Sequence, residues 1–170
     1  MGNPLNLPFD PIERAHDNWA ARWGKSSAMA AVTSVMRAQQ LLLGQLDAAL
    51  KPYALTFARY EALVLLTFSS SGALPLGKIG ERLMVHPTSV TNTIDRLERQ
   101  GFVRRRPNPS DGRGTLAEIT DSGREVVERA TRDLLDMEFG LGCYDDEERW
   151  QIYTLFRKLR VDYGDFPAES

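Results

Sequence analysis

Between Leu76 and Thr120 the hydrophobic period changes without a break: two short helical stretches, about Leu76 to Leu83 and Pro87 to Gln100, lie a few residues apart, and an extended hairpin follows at once. Gly101 suits the position just past a helix end, where the left-handed backbone penalises a Cβ. Phe102 to Arg106 and Thr115 to Thr120 then read as two strands around the turn-rich Pro107-Asn108-Pro109-Ser110-Asp111-Gly112-Arg113-Gly114. Two short helices joined by a tight turn and closed by a hairpin predict a helix-turn-helix with a wing.

Long helices flank this centre. A loose arm, Met1 to Asp10, leads to a short helix opened by Pro11 with Asp10 as cap and ended by Gly24. Ser26 or Ser27 caps a long helix to about Lys51, stopped by Pro52. Its apolar residues, among them Met29, Val32, Val35, Met36, Leu42, Leu43, Leu46 and Leu50, recur every three or four positions, and the triplet Leu41-Leu42-Leu43 broadens the stripe enough for two partners. Thr56 caps a third helix, Phe57 to Phe68, closed by Ser69-Ser70-Ser71-Gly72. After the hairpin, Thr120 or Asp121 starts a helix to about Phe139. Asp145-Asp146-Glu147-Glu148 then opens a last helix with acids at the positive end of its dipole. That helix carries Trp150, Tyr153, Leu155, Phe156, Leu159 and Tyr163, a large apolar surface for a chain end.

Composition removes several function classes. At 170 residues, 42% hydrophobic and 26% charged, the chain is one ordinary globular unit. Its longest apolar run, Ala62 to Leu66, is far short of the roughly 20 residues a bilayer requires, and no basic or long apolar leader opens it. A cytoplasmic protein with no membrane partner is expected. The single Cys143 excludes an internal disulfide and, with only His16 and His86, leaves too few soft ligands for a zinc site, so neither metal nor cofactor is expected. Neither histidine has a Ser or Cys partner in a nucleophile motif, which argues against an enzyme.

The formal net charge of −2 hides a segmented layout: +1 before Pro75, +4 from Pro75 to Thr115, and −7 thereafter. A basic centre in an acidic remainder is either a footprint for an anion such as the nucleic-acid backbone or an uneven solvated surface, and charge alone leaves both open.

The residues Leu76-Gly77-Lys78-Ile79-Gly80-Glu81-Arg82-Leu83, then Pro87-Thr88-Ser89-Val90-Thr91, then Asp95-Arg96-Leu97-Glu98-Arg99-Gln100-Gly101-Phe102-Val103-Arg104-Arg105 resemble the MarR family of winged helix-turn-helix regulators. The likeness runs on through Asp111-Gly112-Arg113 to Leu116-Ala117-Glu118-Ile119-Thr120-Asp121-Ser122-Gly123-Arg124, in family order and spacing, and with the flanking helices covers roughly Ser27 to Tyr163. It implies a mainly α fold with a small β-hairpin wing: a winged helix-turn-helix domain plus a helical dimerisation region. The expected partition is 1–51 for the arm, extra helix and first dimerisation helix, 52–120 for the DNA-binding domain, 121–163 for the C-terminal dimerisation helices, and 164–170 for a tail. The helix around Trp19 lies outside the general family pattern and is similar only to some subgroups.

A helix that enters the major groove needs short hydrogen-bonding side chains in its first turns, nearest the base edges, and Thr88, Ser89, Thr91 and Asn92 qualify. The same cluster is open to plain capping and turn chemistry. Asn92 is the preferred direct reader, because an amide can bond an adenine edge at two points; many family members carry a basic residue there. By resemblance Arg96 meets phosphate or braces the wing. Where the family usually has Ser as helix cap this chain has His86, a poorer cap, expected simply to be exposed. A wing needs a cation at its tip for the narrow minor groove, which Arg113 supplies, and the resemblance implies that Asp111 holds that loop. Arg104 and Arg106 share one strand side and Arg105 the other; the first pair are the phosphate candidates, with a solvated charge run as the alternative.

One winged module makes few base contacts, so a homodimer on a palindromic double-stranded operator is expected, with the aromatic last helix and the broad second-helix stripe as the junction. The resemblance implies a transcriptional regulator, a repressor released by a small, often aromatic or acidic, effector. Candidate effector residues are Trp19 and Trp23, at i and i+4 on the extra helix, and Glu61, at the place of an acidic residue used by the urate-responsive subgroup. The neighbours of Thr93 lack that subgroup's recognition-helix arginine. The two tryptophans read either as a lid over a pocket or as a staple packing the arm. Cys143 reads as an inert packed residue or as the trigger of a redox-responsive regulator. A winged-helix protein-interaction module without DNA binding is the remaining alternative.

Overall fold

The caps written into the sequence fix most helix starts. In the computed structural model, which describes residues 6–109 and 111–167 and only the backbone of residues 111–113, α1 (Pro11–Trp23) begins where the Asp10 carboxylate accepts from the Ile12 N–H and ends at left-handed Gly24. α2 (Ser27–Leu50) starts where the Ser26 hydroxyl accepts from the Met29 N–H, and a 3₁₀ turn, Lys51–Tyr53, carries it to left-handed Ala54. α3 (Phe57–Phe68) has Thr56 at its cap position, but the cap bond comes from elsewhere: the Phe57 N–H donates to the Asp47 carboxylate at 2.6 Å, so α2 caps α3 across the corner. The Thr56 hydroxyl accepts from Arg59 instead.

The helix-turn-helix follows as α4 (Leu76–Leu83) and α5 (Pro87–Arg99). A Cβ on Gly80 would stand 3.2 Å from both the Val85 carbonyl oxygen and a Val90 methyl, so the absent side chain lets α4 close on the start of α5. Ahead of α4 lies a strand the sequence reading misses, β1 (Ala73–Pro75), too short to show alternation. It pairs antiparallel with β3 (Asp111–Ile119), whose other edge holds β2 (Val103–Asn108), giving the order β1-β3-β2. The strands reach further than their apolar pattern: Pro107 faces Thr115 and Asn108 pairs with Asp111 across an irregular register. Backbone pairing alone extends the wing where alternation has stopped.

α6 (Asp121–Asp136) is capped by the Thr120 hydroxyl, which accepts from the Gly123 N–H. It ends before the expected Phe139: Glu138–Gly140 forms a 3₁₀ turn in which Glu138, Phe139 and Gly140 all have positive φ. α7 (Asp146–Asp162) opens with a reciprocal capping box between Asp145 and Glu148.

Leu50, Leu63, Leu66, Ile79, Ile94, Leu97 and Leu134 are fully buried, so the core lies where α3, α4, α5 and α6 converge beneath the sheet. The two ends of the chain are different. α2 buries only Leu46 and Leu50, near its C-terminus, and α1 and α7 bury nothing. No described helix is long and apolar enough to cross a membrane.

Candidate nucleic-acid interface

α5 buries Val90, Ile94 and Leu97, at spacings of four and three, against the core. The opposite face is therefore forced outward, and it carries Ser89, Asn92, Arg96 and Arg99 at spacings of three, four and three. All four are exposed, as are Thr88 and Thr91. The Thr91 hydroxyl donates to the Pro87 carbonyl at 3.1 Å, which commits its proton and leaves its oxygen an acceptor. His86 is exposed as expected, and it also caps the helix. Its Nδ1 accepts from the Thr88 N–H at 3.2 Å, because the ring, although exposed, folds back over the first turn.

The Arg105 side chain ties the wing to this helix. Arg105 points away from Arg104 and Arg106, as strand alternation requires. Its two terminal nitrogens donate to Glu98 and to Asp95 at 2.5 Å each, while its backbone N–H donates to Glu98 at 2.9 Å. Burial alone would lower the Arg105 pKa; the hydrogen bonds to Asp95 and Glu98 outweigh it and the net shift is upward. Of the two roles the resemblance implies for Arg96, phosphate contact or bracing, the brace seen here is made by Arg105, and Arg96 stands on the exposed face.

On the wing's other side Arg104 and Arg106 share a single carboxylate. Arg104 Nε lies 2.5 Å and Arg106 Nε 3.1 Å from one oxygen of Glu118, which stands directly across the ladder from Arg104. The hydrogen bond from Arg104 holds the Glu118 carboxyl below the usual range and raises the arginine in turn. The Asp111 and Arg113 assignments concern side chains outside the described residues; their backbone runs in β3.

The effector candidates do not converge. Trp19 and Trp23 pack against each other with ring centroids 4.8 Å apart and planes tilted by 51°, and Trp23 is 65% exposed beneath the Arg22 guanidinium. Glu61 lies half-buried on α3, and that burial raises its pKa. A groove of about 450 Å³ between α3 and α6 is lined by Tyr60, Val64, Thr67, Phe68, Val127 and their α6 neighbours, and a smaller one of about 260 Å³ lies between α1 and α2. None of the three candidates lines either groove. Cys143 corrects the packed reading: it is exposed in the loop before α7, where the chain turns with no core beneath it. Among the described residues no cluster of His, Cys, Asp and Glu could hold a metal.

Sequence reasoning missed Glu118 and the pairing of Arg105 with Asp95 and Glu98. The signal was present, since alternation separates Arg105 from its neighbours and Asp95 and Glu98 lie three apart on one helix face. What it lacked was the angle at which β2 leaves α5.

A polar, outward-facing second helix with a braced basic hairpin beside it defines a winged helix-turn-helix protein. The model of the MarR family matches residues 58–115. An HTH-type transcriptional regulator of Bacillus subtilis, YhbI, is 32% identical over 114 residues, which span 67% of this chain and 71% of that protein. Among solved structures, the MarR family transcriptional regulator Sco5413 of Streptomyces coelicolor is 70% identical with a TM-score of 0.78, covering 83% of this chain and 98% of that one. Sco3205 of the same organism, solved in complex with DNA, is 26% identical with a TM-score of 0.75, covering 83% and 90%. The chain belongs to the MarR family, whose members are transcriptional regulators and not enzymes.

Proposed function

We propose that two copies of this chain grip one palindromic operator, each laying α5 in the major groove and its wing along the adjacent backbone, and repress transcription in the cytoplasm until a small effector releases them. The exposed stripe Ser89-Asn92-Arg96-Arg99, held at a fixed angle to the wing by Arg105, carries this reading. Asn92 reads base edges with Thr88, Ser89 and Thr91 beside it, Arg96, Arg104 and Arg106 meet phosphates, and Arg113, kept in place by Asp111, enters the minor groove.

Dimerisation is supported by what the single chain leaves uncovered. α7 exposes Trp150, Tyr153, Leu155, Phe156, Leu159 and Tyr163, and α2 exposes Val32, Val35, Met36, Leu41 and Leu43. So many exposed apolar side chains are what a partner helix surface covers. An effector that is aromatic or acidic would meet Trp19, Trp23 and Glu61 only once a second copy completes the site, since one chain does not gather them.

Gel-shift titration on a palindromic duplex tests this: one dimer per site is expected, with affinity falling steeply as salt rises. Arg113→Ala is expected to lose about 1 to 3 kcal/mol of operator affinity at unchanged dimer mass. A monomer by light scattering that ignores duplex DNA in dilute buffer would overturn the reading. The exposure of Cys143 favours a second reading, redox control through that thiol. Operator binding by Cys143→Ser that responds to peroxide as the parent does would remove it.

A further inference from the structure

Glu118 is oddly placed for an acid. It sits at the base of a wing whose neighbouring strand carries three consecutive arginines, and it is the most covered member of its own cluster: its side chain is 14% exposed, against 66% for Arg104 and 47% for Arg106. A carboxylate seeking only solvent would turn out of the sheet. This one lies directly opposite Arg104 and diagonal to Arg106, and a single oxygen, Oε2, contacts both guanidinium groups.

Both contacts use Nε, the inner nitrogen of each guanidinium. The terminal nitrogens, which form the fork that fits a phosphate, lie outside these contacts. The three side chains together therefore carry a net charge of +1 and not +2.

We propose that Glu118 is an attenuator of the wing's grip on the DNA backbone: it holds Arg104 and Arg106 together and cancels one of their two charges, which keeps the sequence-independent part of binding weak. The proposal rests on the DNA-binding reading above and adds a residue that touches neither base nor phosphate. Its low pKa, set by the Arg104 hydrogen bond, keeps the charge present across physiological pH. Phosphate contacts carry no sequence information, so removing the attenuator strengthens operator and random duplex alike.

The readout is the slope of log affinity against log salt, which changes by about 0.9 for each phosphate neutralised. Glu118→Gln keeps an acceptor for both Nε groups and deletes the charge. It is expected to steepen the slope by about 0.9 per copy, twice that for two copies on one site, and to leave the ratio of operator to random-duplex affinity as in the parent. At 0.1 M salt this amounts to about eightfold tighter binding per copy, vanishing on extrapolation to 1 M. Glu118→Ala gives the same reading should the amide disturb the strand. Glu125→Gln, which removes an exposed acid of α6, controls for net charge and is expected to leave the slope unchanged. Parental slopes for both Glu118 variants, or an equal steepening by Glu125→Gln, would overturn the proposal. A parent that binds no duplex at any salt would instead sink the DNA-binding reading.

Discussion

Replacing Arg105 is the most direct probe of the interface, because its side chain joins the wing to two carboxylates of the recognition helix. Its side chain is 26% exposed, and the guanidinium donates to two carboxylates at 2.5 Å each. Exposed ion pairs contribute about 0.2 to 1 kcal/mol, and the half-covered setting puts each contact near the upper end; both acids are more than a third exposed and hydrate once released, which caps the gain. The sum is about 2 kcal/mol for Arg105→Gln. In a chain of this size each kcal/mol moves the melting midpoint by about 2 to 4 °C, so a fall of about 4 to 8 °C is expected. Arg105→Lys keeps the charge but has no planar fork to serve Asp95 and Glu98 together, and is expected to recover less than half of that loss. Since native stability is about 5 to 15 kcal/mol, both variants remain folded at 25 °C, and operator affinity measured there reports the lost angle and not unfolding. A loss of about tenfold in Arg105→Lys is the expected reading. A Lys variant that melts and binds as the parent does would refute the brace, and a cycle with Asp95→Asn showing no coupling would localise the fault to that pair.

Gly123→Ala would place a methyl 2.2 Å from the Phe102 carbonyl oxygen and 2.8 Å from an Ile119 side-chain carbon, at the base of the wing. The oxygen belongs to backbone that also accepts from the Thr120 N–H, so it cannot simply retreat, and a loss of about 3 kcal/mol by urea unfolding is expected. Asn92→Ala is expected to relax preference at one base pair by about 1 to 3 kcal/mol in competition shifts while the salt slope stays parental. Glu61 has a folded pKa raised by burial, so the folded state holds its proton more tightly and stability is lost as pH rises from the ordinary carboxylate pKa through the raised one. Glu61→Gln is accordingly expected to melt higher than the parent at pH 7, with the gap closing in acid; a gap that widens in acid would contradict the burial account.

The helices were legible because their signals are local. Asp10 accepts the first-turn N–H that the sequence assigned to it, and Ser26 and Thr120 are the caps among the alternatives the sequence left open; Asp145, expected only as one of four acids at a helix start, is a cap as well. What escaped depends on contacts far along the chain. Asp47 caps a helix that begins ten residues later, and β1 exists only because β3 offers it an edge. The short reach of β2 in the sequence reading came from treating Pro107 and Asn108 as turn formers, which they are only where no partner strand stands opposite. The candidate DNA-facing polar residues could be named from spacing, whereas the acids that organise the arginines could not. A carboxylate's partner is chosen by the angle between elements, and no periodicity encodes that angle.

Where the long helix α2 turns into the winged module, one residue gathers three links. Ala54, left-handed at φ 54°, offers its oxygen to Arg59 of α3 at 2.8 Å and to the Gln100 amide, at the end of α5, at 2.7 Å, while its own N–H returns to Lys51. Tyr53, one residue earlier, donates to Asp133 of α6 at 2.6 Å, and Asp47 caps α3 from α2. The exit of α2, the start of α3, the far end of α5 and the last turn of α6 are thus pinned to a stretch of eight residues. With Arg105 fixing the wing to α5 beyond it, helix and wing have no independent joint on the side facing α2. In the dimer proposed above, a displacement of α2 is therefore expected to carry α5 and the wing as one body, changing the distance between the two recognition helices and not the shape each presents to a half-site.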